Sequence, residues 1–161
     1  MPLEDEDGFF HGNFPVCRWP VAHAVEFRVV GFILLEHKVT VDSADCKGNI
    51  TIDVSTGEVN MTNIKCTDLT SRGSTGNIVL TGVAADGKIH LERSTGNIAL
   101  DGCDAAGIFL KTTTGNITGR LLSDKIFTVE SHTGKIEVPQ TVTGGKCDIT
   151  TDTGDVKIEI G

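Results

Sequence analysis

Asp152-Thr153-Gly154 has the spelling of an aspartic-protease half-site, in which two carboxylates share one proton. Gly82-Val83-Ala84-Ala85-Asp86-Gly87-Lys88 has the glycine spacing of a phosphate-binding loop. Neither motif carries its chemistry. The phosphate loop needs Ser or Thr after its Lys and then a helix, whereas Ile89 and an alternating strand pattern follow. The Asp152 position is held by Ser55, Ser74, Ser94, Thr113 and His132 in five related segments, so the triplet is one member of a repeat. His90 and His132 stand at outward or turn positions, and Asp148, Asp152 and Asp155 read as a solvated face. The five cysteines (Cys17, Cys46, Cys66, Cys103 and Cys147) are an odd number without a Cys-x-x-Cys pair, which removes a zinc site and points to small buried apolar residues. No catalytic residue, cofactor or metal set is expected. One charged stripe stands out: Arg72, Arg93 and Lys111 recur at similar positions of neighbouring repeats, with Glu92 and Glu130 close by. A polysaccharide-acting enzyme of the pectate-lyase kind would use such a face, and a solvated surface is the plainer alternative.

The elements that position these residues come from the repeat. Thr56-Gly57, Thr75-Gly76, Thr95-Gly96, Thr114-Gly115, Thr133-Gly134 and Thr153-Gly154 follow one another at spacings of 19, 20, 19, 19 and 20 residues. A fixed period of that size is the signature of a stacked repeat. Seven and five positions before each glycine, and two and four after it, 21 of 24 residues are aliphatic, Met or Phe. The exceptions are Ser71, Gly119 and Cys147. Alternation at period two means strands with one buried face, because successive side chains point to opposite sides. The expected fold is all-β: a single-stranded, right-handed β-solenoid with turns of about 19–20 residues and parallel stacked sheets. Six turns at about 4.8 Å each make a rod on the order of 30 Å long. Glycine supplies the corner, the threonines form a column beside it, and Asn77, Asn97 and Asn116 can link successive turns through their amides.

Residues 38–161 hold this repeat, and residues 1–37 form a non-repeat N-terminal segment. That segment has five of the seven Phe and the only Trp, and it is expected to cap the first turn or to mark a truncated boundary. Val21 to Leu35 is apolar but interrupted by Glu26 and Arg28, too short for a membrane span, and preceded by acidic rather than basic residues, unlike a signal peptide. A net charge of -8 and the absence of Tyr argue against a nucleic-acid binder, which needs clustered cations and stacking surfaces.

Glu92-Arg93-Ser94-Thr95-Gly96-Asn97-Ile98, Leu100 to Ala106 and Thr151 to Ile158 resemble a bacterial adhesin family of unknown function, of the gut Firmicutes type, built from Ser-Thr-Gly-Asp/Asn-Ile/Val units. The resemblance covers residues 38–161 and implies a right-handed β-solenoid at the cell surface or outside the cell, with no catalytic residues to carry over. The expected function is therefore a non-enzymatic cell-surface module that binds a protein or a glycan. The rival expectation is a self-assembling scaffold growing through open solenoid ends. Val156 to Gly161 would be the free edge, with Lys157 and Glu159 blunting it. A membrane contact would run only through an anchor not recognised in this chain.

Overall fold

Short runs of alternating apolar and polar residues, separated by Thr-Gly or by Gly and Asn corners, leave residues 48–161 no route to a helix. A computed structural model describes the backbone of residues 9–11, 26–31 and 38–42, and residues 48–161 in full. Its strands are β1 (Phe9–His11), β2 (Glu26–Gly31), β3 (Lys38–Asp42), β4 (Asn49–Val54) and β5 (Glu58–Thr62). β6 (Lys65–Cys66), β7 (Leu69–Thr75), β8 (Ile78–Thr81), β9 (Ala84–Thr95) and β10 (Ile98–Thr114) follow. The chain ends with β11 (Ile117–Leu121), β12 (Lys125–Thr133), β13 (Ile136–Glu137), β14 (Gly145–Thr153) and β15 (Val156–Ile160).

Every pairing is parallel. One ladder runs β1-β2-β4-β7-β9-β10-β14-β12, and the other runs β3-β5-β8-β10-β11-β15-β13. A third short side is made where β6 meets Ala84 and Ala85, and where these meet Asp104 and Ala105. The chain is thus a β-solenoid, as its period requires. The parallel ladder also reaches upstream of Lys38, since β2 lies in register beside β4 and β1 beside β2. The rest of the segment expected to form a cap lies outside the described residues.

The core is a set of columns parallel to the stacking axis. Ile50, Leu69, Ile89, Ile108 and Cys147 form one, and Val59, Ile78, Ile98, Ile117 and Val156 form another, all fully buried. The third side adds Ile64, Val83 and Cys103, again fully buried. Each fully buried aliphatic side chain contributes about 1.5–3 kcal/mol, so the columns hold the stack together. Gly119 breaks its column without leaving a void: Ile158 Cδ1 stands 3.0 Å from where a Cβ would be.

The turns do not stack in chain order. β14 pairs with β10 on one side and β12 on the other, and β15 lies between β11 and β13. The last turn of the sequence is therefore wedged between the two before it, and residues 122–144 form the outer end. This corrects the expectation of a free edge at Val156 and Lys157, which pair with β11 on one side and β13 on the other, whereas Ile158 to Ile160 pair with β11 alone among the described strands. Two glycines make the insertion feasible. A Cβ on Gly144 would stand 1.8 Å from the Asp124 carbonyl oxygen, and one on Gly145 would stand 1.9 Å from that of Ala106. Gly144 also has φ of +99°, a conformation that L side chains rarely adopt.

Candidate functional site

The Thr-Gly corners form a continuous column whose order repeats the insertion: Gly57, Gly76, Gly96, Gly115, Gly154, Gly134. Each glycine N–H before Gly134 donates to the threonine carbonyl of the next turn, as from Gly96 to Thr114 and from Gly115 to Thr153, both at 2.9 Å. At Gly96, φ is +145° and a Cβ would meet the Gly76 carbonyl oxygen at 2.1 Å, so no larger residue fits. The expected asparagine ladder is present and runs further than Asn77, Asn97 and Asn116. Each side-chain oxygen accepts the backbone N–H of the following turn: Asn77 from Asn97 at 3.0 Å, Asn97 from Asn116 at 2.8 Å, Asn116 from Asp155 at 2.9 Å, and Asp155 from Lys135 at 2.8 Å. Thr56, Thr75, Thr95, Thr114, Thr133 and Thr153 lie on the exposed side of this column. The ladder stops at Lys135, whose side chain has no acceptor. The corner is a structural seam.

The predicted cationic stripe is not a stripe. Arg72 and Lys111 are exposed and flank Glu92 in register, with Lys111 Nζ 3.7 Å from Glu92 Oε1. Asp53 lies beside Arg72 and Glu130 beside Thr150, so the face alternates in sign. Arg93 points the other way. It stands two residues beyond Leu91 and four beyond Ile89, on the inward parity, and its residue is 1% exposed. Gly73 leaves the space it occupies: a Cβ there would lie 1.8 Å from Arg93 Nη1. Arg93 Nη1 donates to the Val54 carbonyl at 3.5 Å, while Nε and Nη2 have no partner. Burial lowers its pKa from the ordinary guanidinium value to about 10, partly opposed by the charge of Asp53. Arg93 cannot reach a substrate on the outer face. The other residues of its column are suited to the interior: the hydroxyls of Thr112, Ser131 and Thr151 donate to the corner carbonyls of Gly96, Gly154 and Gly115.

A cluster that the sequence reading missed lies on the third side. Lys125, 3% exposed, donates to Asp104 Oδ1 at 2.8 Å and contacts the Ser123 hydroxyl, which itself donates to Asp104 at 2.6 Å. Burial pushes the Asp104 carboxyl up, but the bonds from Lys125 and Ser123 outweigh it and hold it below the ordinary value. Beside the cluster is an open depression of about 460 Å³ that also reaches Asp86, Asp124 and Gly144. A nucleophilic serine needs a proton acceptor, and here the neighbouring Lys125 nitrogen is a donor already committed to Asp104. The trio ties the outer turn to the turn that precedes it in sequence, across the inserted strand.

Cys103 and Cys147 are buried free thiols, and burial pushes the Cys147 thiol up to about 12. Cys66 is also buried, and Cys17 and Cys46 lie outside the described residues. Asp152 meets His132 Nδ1 at 3.2 Å on an exposed face, so the protease-like triplet is indeed part of the repeat surface. Among the described residues, no three His, Cys, Asp or Glu side chains are grouped as a metal would require, and no helix is long and apolar enough to cross a membrane.

The outer end differs from the remaining surface. β12 and β13 each have one paired side among the described strands. Phe127 and Val129 of β12, and Val138 just after β13, face the core and are only half covered. The large hydrophobic side chains exposed in the described part of the chain, Leu122, Ile126, Ile136 and Val142, all belong to this one turn, with Val142 87% exposed.

Parallel strands stacked around aliphatic columns, with a glycine corner in each turn, define the class as a β-solenoid repeat protein. Residues 6–161 match the Toastrack DUF4097 profile. The chain belongs to the Toastrack DUF4097 family, a domain of unknown function. A search of curated proteins and of solved structures finds no match.

Proposed function

We propose that this Toastrack domain is a non-enzymatic interaction module displayed at the cell surface, an adhesin whose ligand is a protein docked on the outer turn, residues 122–144. The observation that carries the reading is the coincidence, on one turn, of two strand edges and four exposed large apolar side chains. An edge strand offers a row of backbone donors and acceptors to an extended partner, and flanking apolar side chains supply burial. The lateral faces do not compete as binding surfaces, since Arg72, Glu92 and Lys111 neutralise one another across strands. The resemblance to adhesins supports a location outside the cytoplasm.

The test is adhesion of beads coated with the domain to cells and to immobilised extracellular proteins, beside beads carrying the Ile126→Asp, Val142→Asp double variant. Loss of adhesion in the variant, with its circular dichroism unchanged, is the expected result. Equal adhesion by both, or none by either, would overturn the reading. Protease treatment of intact cells tests the location: cleavage of the domain without lysis is expected, and full protection would contradict surface display.

A further inference from the structure

We infer that the protein docked on the outer turn is basic: an extended segment that adds to the β12 edge and sets a Lys or Arg beside Glu130. The inference rests on the interaction-module reading and names the chemistry of its partner. Inner carboxylates have cations on neighbouring turns. Glu92 lies between Arg72 and Lys111, Asp101 meets Arg120 Nε at 3.9 Å, and Asp104 holds Lys125. Glu130 has none. It is exposed, it joins no ion pair among the described residues, its register neighbour on β14 is Thr150, and no described strand lies on its other side. Asp124 is exposed and equally unpaired, and Glu137 lies beside Lys157, which already pairs with Glu159 at 3.2 Å. The cations near this edge do not offset the three acids. Lys125 is buried against Asp104, His132 meets Asp152, and Lys146 beside Ile126 is balanced by Asp148 beside Thr128. Lys135 alone stands against Asp124, Glu130 and Glu137.

Negative charge and uncovered apolar surface therefore coincide on this turn. The third side repeats the sign: Asp86 and Asp124 line the open depression, whose one lining cation, Lys125, is committed to Asp104. A segment laid along β12 would place alternate side chains over the half-covered Phe127 and Val129, and the intervening ones on the lateral face beside Thr128 and Glu130. The segment that suits this edge alternates apolar and polar residues and carries its cation at the Glu130 position. The stack already contains that pattern. Ile108-Phe109-Leu110-Lys111 lies in register beside Ile89-His90-Leu91-Glu92, with Lys111 Nζ 3.7 Å from Glu92 Oε1. An acidic segment of the same apolar pattern would instead set like charges side by side, which destabilises a strand pair.

The experiment measures, by fluorescence anisotropy, the binding of two peptides to the whole chain and to its Glu130→Gln and Glu130→Lys variants. Both peptides alternate Val and Thr between Gly-Ser ends; one carries Lys in place of the central Thr, and the other carries Glu. Residue 130 is exposed on the lateral face, so neither variant touches the core. The Lys peptide should bind the wild-type chain roughly fivefold more tightly than the Glu peptide. Glu130→Gln should bring the two together, and Glu130→Lys should reverse their order. The preference should narrow as salt rises, because the pair is exposed. Equal binding of both peptides by the wild-type chain, binding of neither, or a Lys preference that survives Glu130→Lys would overturn the inference. Self-association of the chain that excludes both peptides would also overturn it, since a second copy would then hold the edge. Bead adhesion that the Ile126→Asp, Val142→Asp variant abolishes and Glu130→Lys leaves at full strength would refute a basic partner while the interaction-module reading stands.

Discussion

The guanidinium of Arg93 lies in the core with Nε and Nη2 unpartnered and one long bond, 3.5 Å, from Nη1 to the Val54 carbonyl. Arg93→Met removes the charge and keeps an unbranched side chain of suitable reach in the channel that Gly73 leaves. The magnitude follows from the lowered pKa. A fall from the ordinary guanidinium value to about 10 corresponds to about 3 kcal/mol by which folding disfavours the charged form. Against this, the variant leaves the Val54 carbonyl without its donor, at about 1 kcal/mol. The net expectation is a gain of about 2 kcal/mol, or roughly 4–8 °C in Tm for a chain of this size.

The pH dependence has a definite sign. Burial lowers the Arg93 pKa to about 10 in the folded chain, below its value in the unfolded chain, so between the two the unfolded state binds more protons. The penalty is complete at pH 7 and relaxes as pH rises through 10. Thermal melts of both proteins at pH 7 and pH 10.5, read as the difference in Tm, should show the advantage of the variant shrinking at the higher pH. A variant that melts lower than wild type at pH 7 would refute the reasoning and mean that a group pairs with Arg93. A gap unchanged with pH would show that the gain comes from packing alone.

Three further outcomes follow from the same geometry. Gly144→Ala forces a methyl group against the Asp124 carbonyl at a φ of +99°, and should cost about 2–4 kcal/mol, seen as a fall in the urea midpoint. Lys125→Met should cost about 1 kcal/mol after discounting for the partial exposure of Asp104. It should also flatten acid unfolding, because the low native pKa of Asp104 stabilises above its unfolded value and is lost as pH falls through the native one; equal acid profiles for the two proteins would count against the Lys125–Asp104 tie. Cys103 and Cys147 should resist iodoacetamide at pH 8 in the native state and react on unfolding, as resolved by mass spectrometry of the peptides; rapid native labelling at either would contradict its burial.

The columns, the corners and the asparagine ladder were legible in the sequence because each is a property of a single turn, repeated. The order of stacking was not. A period states what a turn contains and is silent about its neighbours, so Gly134 and Gly154 look equivalent in a list of spacings. The traces of the insertion are small: Gly144-Gly145 where two carbonyls press on the chain, and Lys135 where the four corners stacked before it carry Asn77, Asn97, Asn116 and Asp155. Arg93 was misplaced for a different reason. Its charge suggested the surface, but its parity with Ile89 and Leu91 placed it inside, and parity decides because a strand cannot turn one side chain over without breaking its ladder. The Asp104–Ser123–Lys125 cluster had no signal in spacing, since it arises from contact across turns.

The inserted strand pair also sets a schedule for synthesis. A solenoid that stacks in chain order can add each turn to a finished surface as it leaves the ribosome. Here residues 122–144 emerge before residues 145–160, which must lie beneath them. The outer turn therefore either waits undocked or settles early on β10 and β11 and has to lift off again when β14 and β15 arrive. A nascent chain halted before Gly145 would expose the underside of that turn, with its Phe127 and Val129, to any chaperone near the exit tunnel.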